Sequence, residues 1–219
     1  MAKDVGESLT KKKNRARKIL ALLKDAYPNS RCSLDFKTVH QLMVATILSA
    51  QCTDERVNMV TTDLFKKYPT VKAFAEADLK DLEEAVHSTG FYANKAKSIK
   101  KSAQQLMEQY DGEIPRTISE LVKLGGVGRK TASVILGAGF GMAEGIVVDT
   151  HVGRISRLLG FTEQSDPVKV ERDLMEIIPH EDWIVYSHML IDHGRAVCKA
   201  RKPACESCPL AKLCPSANI

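Results

Sequence analysis

The chain has 219 residues, 44% of them apolar and only 5% aromatic, and a formal charge of +5. That length supports one large or two small domains with real cores, and the positive charge permits an anionic partner without demanding one. No apolar run reaches the roughly 18 residues of a membrane span, and the opening MAKDVGESLTKKKNRARK lacks the apolar core of an export signal, so membrane and secreted classes are set aside and a cytoplasmic protein is expected.

Hydrophobic spacing predicts helices almost throughout. Residues 14–26 place Ala16, Ile19, Leu20 and Leu23 on one face and stop before Pro28-Asn29-Ser30. The basic run Lys11 to Lys18 reads as a solvated helix face or frayed tail, with phosphate contact as the alternative. Phe36 to Ser49, capped by Asp35, is apolar nearly all round and belongs in the middle of a bundle. The polar segment Gln51-Cys52-Thr53-Asp54 interrupts it, and Asp54 is expected to cap a helix to Lys67. Two short helices follow Thr70 and Asp78, ending at Ser88-Thr89-Gly90. A longer one spans Tyr92 to Tyr110 and carries Lys95, Lys97, Lys100 and Lys101; Asp111-Gly112 and Pro115 close it.

Thr117 and Glu120 then have capping-box spacing ahead of Ile118, Leu121, Val122 and Leu124. Gly125, Gly126 and Gly128 allow a tight turn with positive φ and leave backbone amides uncovered. A second helix runs from Arg129 to about Phe140. Exposed amides at a helix start favour an anion, so helix, glycine turn, helix is a candidate grip on a phosphate backbone with Lys130 one turn inside it; the bland alternative is an ordinary αα-corner. The glycine-studded loop Gly137 to Gly145 follows, then Ile146-Val147-Val148, and Asp149 opens a helix from Thr150 to Leu159. Asp166-Pro167 opens another to Ile178, and a last long helix covers about Glu181 to Asp192. Period-2 alternation is almost absent, and the expected fold is all-α.

Six cysteines are present, and Cys198, Cys205, Cys208 and Cys214 form C-x6-C-x2-C-x5-C near the C-terminus. In a reducing compartment such a cluster points to metal before disulfides. Structural zinc usually shows two C-x2-C pairs, and only one occurs here; a [4Fe–4S] cube takes four thiolates at uneven spacing. Iron–sulfur is favoured and zinc stays open. Lys199, Arg201 and Lys202, with Arg195 upstream, are expected to offset the thiolates, to face phosphates, or to do both.

LGGVGRKTA (124–132), Val148-Asp149-Thr150-His151, the cysteine tail and LSAQCTD (48–54) stand in the order and at the separations of the endonuclease III family of DNA glycosylases, which the chain resembles over nearly its whole length. The resemblance implies a base excision repair enzyme that removes oxidised pyrimidines and then nicks the strand. It implies two helical lobes with a DNA groove between them: a six-helix barrel at residues 32–142 carrying the helix-hairpin-helix at 117–140, and a discontinuous lobe of 1–31 and 143–219 holding a [4Fe–4S] cluster on the four cysteines. The partner is then double-stranded DNA containing damaged pyrimidines or abasic sites, met by a monomer in the nucleoid.

Residue by residue, the resemblance makes Lys130 the nucleophile and Asp149 the essential carboxylate. A cation in the first turn of a helix is disfavoured by the dipole, which suits an amine that must attack unprotonated. An Asp at that place also reads as a plain N-cap. Gln51 matches the residue that enters the gap left by a flipped nucleotide; its amide both donates and accepts, which suits varied opposite bases. Gly90-Phe91-Tyr92 is a candidate apolar wedge beside it. Amides of Gly126 and Gly128, with Arg129, are expected at a phosphate, as are Lys199, Arg201 and Lys202. His151 is expected to pack or hydrogen-bond within the fold. One departure is Gly125, where the family often has proline, so a looser hairpin is expected. Two rivals remain. A monofunctional mismatch or adenine glycosylase generally lacks the hairpin lysine, and the short stretch after Cys214 leaves no room for the extra domain of adenine-specific members. A non-catalytic iron–sulfur DNA-binding or redox protein is the other.

Overall fold

The structure, a computed structural model, describes residues 7–219, with no strand among them; the stretch weighed as an export signal begins in residues 1–6, outside the described residues. In chain order the helices are α1 (Leu9–Ala26), α2 (Val39–Leu48), α3 (Asp54–Lys67), α4 (Val71–Glu76), α5 (Leu79–Val86), α6 (Tyr92–Gln109), α7 (Ile118–Leu121), α8 (Arg129–Val134), α9 (Thr150–Leu158), α10 (Pro167–Ile177) and α11 (Trp183–Ala196). Most begin on the same device, an extended residue whose side-chain oxygen accepts a backbone N–H of the first turn: Ser8, Thr38, Thr53, Thr70, Asp78, Thr117, Asp149 and Asp166. Each such cap contributes about 1 kcal/mol.

Several boundaries differ from expectation. The first helix starts at Leu9, so the basic run is neither frayed nor a tail. Arg15 fixes it: its guanidinium grips both carboxylate oxygens of Glu7 at 3.0 and 2.7 Å, reaches the Leu159 carbonyl at 2.6 Å, and lies over the Phe161 ring. The same grip holds the Glu7 carboxyl below its ordinary pKa. The second helix is capped by Thr38 instead of Asp35, because Thr38 has the extended backbone and accepts from Gln41 N. The third is capped by Thr53 in place of Asp54, whose carboxylate instead accepts from the Ser33 hydroxyl. At the other end of the chain α11 runs on to Ala196 after a 3-10 turn at His180–Asp182.

The chain divides into two compact units, one joining the N-terminal segment through Arg31 to Gly145–Ile219, the other Cys32–Glu144. In the first, Ala16, Ile19 and Leu23 of α1 meet Val170 and Leu174 of α10, Tyr186 and Leu190 of α11, and Ile155 of α9 in one core. In the second, α2 is the central helix: Leu42, Met43, Val44, Ala45 and Leu48 are all fully buried, with α6 against α2, α4 and α5.

His40 on α2 is buried edge-on to Phe74, ring centroids 5.2 Å apart, and its Nε2 has no partner. Burial pushes its pKa from 6.5 down to about 4. The folded chain therefore keeps His40 neutral where the unfolded chain takes up a proton. Its contribution is full above pH about 6.5 and is lost as the pH falls toward about 4, a change of about 3 kcal/mol. Urea denaturation of wild type should show the midpoint falling across that window. His40→Leu should flatten this part of the profile, and an unchanged slope would remove His40 from the account.

Candidate active site and metal centre

The glycine hairpin is built from both ends. Thr117 Oγ1 accepts from Glu120 N at 3.3 Å and donates to the Glu120 carboxylate at 2.9 Å, so the cap of α7 pairs the two side chains directly. Leu124 and Val127 are buried, and Val127 N donates to Leu124 O. Of the three glycines only Gly126 uses the left-handed region, at φ +74, and a Cβ there would stand 2.6 Å from Ser98 Cβ. Gly128 is the extended N-cap of α8, with open space around it. Gly125 is required by approach: a Cβ would lie 2.9 Å from Ser98 O. Its N–H donates to Gln105 Oε1 at 2.8 Å, while Gln105 Nε2 donates to Lys123 O. Proline has no such N–H, so the hairpin here is clamped to α6 and is not the looser turn expected. Gly126 and Gly128 are exposed, and their amides meet no acceptor among the described residues.

Gly126→Ala should therefore cost at least about 2 kcal/mol, combining left-handed strain with overpacking against Ser98. Gly128→Ala should cost under about 1 kcal/mol, the difference between the two residues at an N-cap. Equal losses in denaturant unfolding would contradict the placement.

Lys130 is the second residue of α8, exposed, and forms no hydrogen bond or ion pair with any described residue. The helix does not run to Phe140 as expected. At Ile135 it widens into a π-turn, Ile135–Gly139. Glycine permits this: a Cβ on Gly139 would stand 2.8 Å from Val39 Cγ1 of α2, so the wider turn lies directly on that helix while Ile135 and Leu136 stay buried. Such turns recur near functional sites.

Helix α6 is the platform for this end of the unit. Ser98 and Gln105 hold the hairpin, and Lys95, one turn earlier on the same face, is buried. Its Nζ donates to Leu48 O at 2.8 Å and to Thr89 O at 2.7 Å. Burial lowers the pKa of this amine, opposed by the Cys52 thiol. The two carbonyls end α2 and the 3-10 turn His87–Thr89. Just beyond each lies an exposed non-glycine residue in the left-handed region, Gln51 at φ 54 and Phe91 at φ 48. Sequence reasoning named Lys95 beside Lys97, Lys100 and Lys101 on this helix and gave it no role. The missed signal is its spacing, since Lys95 shares a helical stripe with buried Ile99, Ser102 and Leu106.

Asp149 belongs to the other unit. As N-cap of α9 its Oδ1 accepts from Val152 N at 2.8 Å, and Oδ2 lies 3.2 Å from His151 Nδ1. The side chain is 17% exposed, and the cap bond to Val152 N holds the carboxylate in place. The His151 ring lies close against α11, where a Cβ on Gly194 would meet it at 2.6 Å.

The four tail cysteines, none in a disulfide, line one cavity of about 70 Å³ together with apolar Ile155, Leu158, Leu159 and Leu210. Four thiols on one apolar-walled space are the donor set that a [4Fe–4S] cube takes. Burial, then the neighbouring cysteines, push the thiols of Cys208 and Cys214 up, while backbone N–H groups of Leu210 and of Ser216 and Ala217 favour their thiolates. Arg154, which sequence reasoning missed, reaches Cys198 Sγ at 3.7 Å and its carbonyl at 2.7 Å. His193 Nε2 stands 3.6 Å from Cys208 Sγ with Tyr27 Oη on its Nδ1 at 2.9 Å. Lys199, Arg201 and Lys202 are exposed, so the cation at the thiols is Arg154 and not the loop's own charges. The donor set fits an iron–sulfur cluster.

Residues 44–180 match the HhH-GPD superfamily of base excision DNA repair proteins, and residues 198–214 match the iron–sulfur binding domain of endonuclease III. The chain is 54% identical to the endonuclease III of Synechocystis sp. over 96% of each protein, and 47% identical to that of Bacillus subtilis over 87% of each. It is 38% identical to that of Escherichia coli K12, over 90% of this chain and 92% of that one. Among solved structures it is similar to a trapped endonuclease III–DNA covalent intermediate (44% identity, TM-score 0.87) and to a non-covalent endonuclease III–DNA complex (44%, TM-score 0.88), each over 94% of this chain and 96% of the other.

Proposed function

The chain belongs to the endonuclease III family of HhH-GPD base excision DNA repair proteins, and from that premise we propose how its residues divide the work on a damaged nucleotide. It is a DNA glycosylase and abasic-site lyase that carries a [4Fe–4S] cluster. Its substrate is duplex DNA holding an oxidised pyrimidine or an abasic site. A base in the stack shields C1′, so the nucleotide must be extruded first; Gln51 enters the gap, with Phe91 as the apolar wedge. The uncovered amides of Gly126 and Gly128, with Arg129, hold a phosphate beside the lesion.

The amine of Lys130, unprotonated, attacks C1′. The new C–N bond forms as the glycosidic bond breaks, and its electron pair leaves with the base, which takes up a proton. Loss of the amine's proton and opening of the sugar give an imine; removal of a proton at C2′ then expels the 3′ phosphate and nicks the strand. Asp149 stabilises positive charge developing on the sugar and accepts protons around the amine. Cys198, Cys205, Cys208 and Cys214 hold the cluster, which ties the tail to α9 and α11 and takes no part in bond making. Exposed Lys199, Arg201 and Lys202 face DNA phosphates. The unit Cys32–Glu144 acts as the hairpin domain and the other as the cluster domain. A reducing, cytoplasmic setting suits six unpaired cysteines, and no helix among the described residues is long and apolar enough to cross a membrane.

The observation that carries this reading is Lys130, exposed and uncommitted behind an open glycine turn, in a chain 44% identical to one captured covalently on DNA. Borohydride added to wild type and a thymine-glycol duplex should give a covalent adduct. Base release with no adduct would instead indicate the monofunctional, water-using enzyme, and tight binding without base release the non-catalytic protein.

A further inference from the structure

Gln51 and Phe91 share an unusual backbone. Both are large residues in the left-handed region, which persists only where the surroundings impose it. Neither is held by its own side chain: α6 begins behind Phe91 with no side-chain cap. What the two turns have in common is Lys95. Each lies two or three residues past a carbonyl that ends a helix, and both carbonyls accept from this one amine. Carbonyls at helix C-termini lack intrahelical partners and carry partial negative charge, so a cation is the group that satisfies two at once. Lys95 is 5% exposed and forms no ion pair among the described residues. Its bonds span 47 residues of chain on one side and 6 on the other.

We propose that Lys95 is a positioning residue for base extrusion: its amine bolts the Gln51 turn to the Phe91 turn, so that amide and ring enter the duplex as one rigid piece. Four bonds in line make the piece. Cys52 N donates to Ser49 O behind Gln51, Gly90 N donates to His87 O ahead of Phe91, and Lys95 joins the two ends. Ser98, one turn along α6, sets the glycine hairpin on the same helix face. The helix thus fixes in one frame the groups assigned to the gap and the group assigned to the phosphate. The competing account is that Lys95 merely caps two helices, and it makes different predictions.

The inference rests on the repair reading above, which excision by wild type tests alone; its first arm involves no DNA. In cluster-loaded Lys95→Met, native-state amide exchange should show Cys52 and Gly90 losing protection together, roughly 10-fold or more, with α10 unchanged. In the second arm, base release from a paired lesion should fall roughly 10- to 100-fold, the scale of a group misplaced by about an ångström. Cleavage at a preformed abasic site, where no base is unstacked, should fall less than about 3-fold. In a Gln51→Ala/Phe91→Ala background the Lys95→Met effect on base release should vanish, because the groups it positions are gone. Unchanged protection at either turn, equal loss of both activities, or a full effect in that background would overturn the proposal. Should Lys95→Met not fold, Lys95→Gln, which keeps an amide donor, carries the same comparisons. Failure of both variants to fold would make the residue purely structural and overturn it equally.

Discussion

Lys130→Ala should lose borohydride trapping and strand nicking entirely, with base release down by roughly 10³-fold or more, while its unfolding midpoint stays within about 0.5 kcal/mol of wild type. The pairing of large and null effects is what makes the result informative. Lys130 is exposed on the first turn of α8 and touches no described partner, so its removal takes nothing from the fold. The bland alternative for a lysine in this place is a phosphate contact. Lys130→Arg separates the two: it keeps the cation and binds phosphate at least as well, yet a guanidinium is no nucleophile. DNA affinity should hold in the arginine variant while trapping stays absent. Retained nicking in either variant would move the nucleophile elsewhere.

Asp149→Asn should lower base release by roughly 10²- to 10⁴-fold with little change in stability. The carboxylate has two duties that one substitution pulls apart. As N-cap its Oδ1 accepts from Val152 N, and asparagine caps a helix about as well as aspartate. Only the negative charge is lost. Asp149→Ala loses both, and should add about 1 kcal/mol of destabilisation to a comparable kinetic defect. If the asparagine variant worked like wild type and only alanine were impaired, Asp149 would be a cap and nothing more. KM for the lesion duplex should change less than kcat, since the charge acts on a cation that develops during bond breaking.

Much of this architecture is legible in the residues because it is local. Thr70, Asp78, Thr117, Asp149 and Asp166 each stand where a cap is needed, and the structure uses each as one. The apolar stripe of α1 and the all-round apolarity of α2 announce their burial. What escaped was set by partners far along the chain. Leu9 to Lys13 fall outside the helix that spacing predicts until Arg15 finds the Leu159 carbonyl. The π-turn after α8 answers to Val39, almost a hundred positions away in the sequence. Gly125 read as slack where the structure shows a bonded amide, because Gln105 is silent in any local pattern. Lys95 and Arg154 were passed over since a basic residue on a helix is normally solvated; only the shared stripe with Ile99 and Leu106 marks the first, and nothing nearby marks the second.

The discontinuous unit has a consequence for synthesis. Ala16, Ile19, Leu20 and Leu23 leave the ribosome first, but the other buried residues of their core, from Ile146 to Leu210, are translated at least a hundred codons later. Domains that fold during translation take shape as they emerge. Cys32–Glu144 is complete in itself by that point and condenses while α1 is still an uncovered amphipathic tail. The helix made first is thus among the last to be buried, and the nascent chain carries that apolar stripe in the open until its far end arrives to cover it.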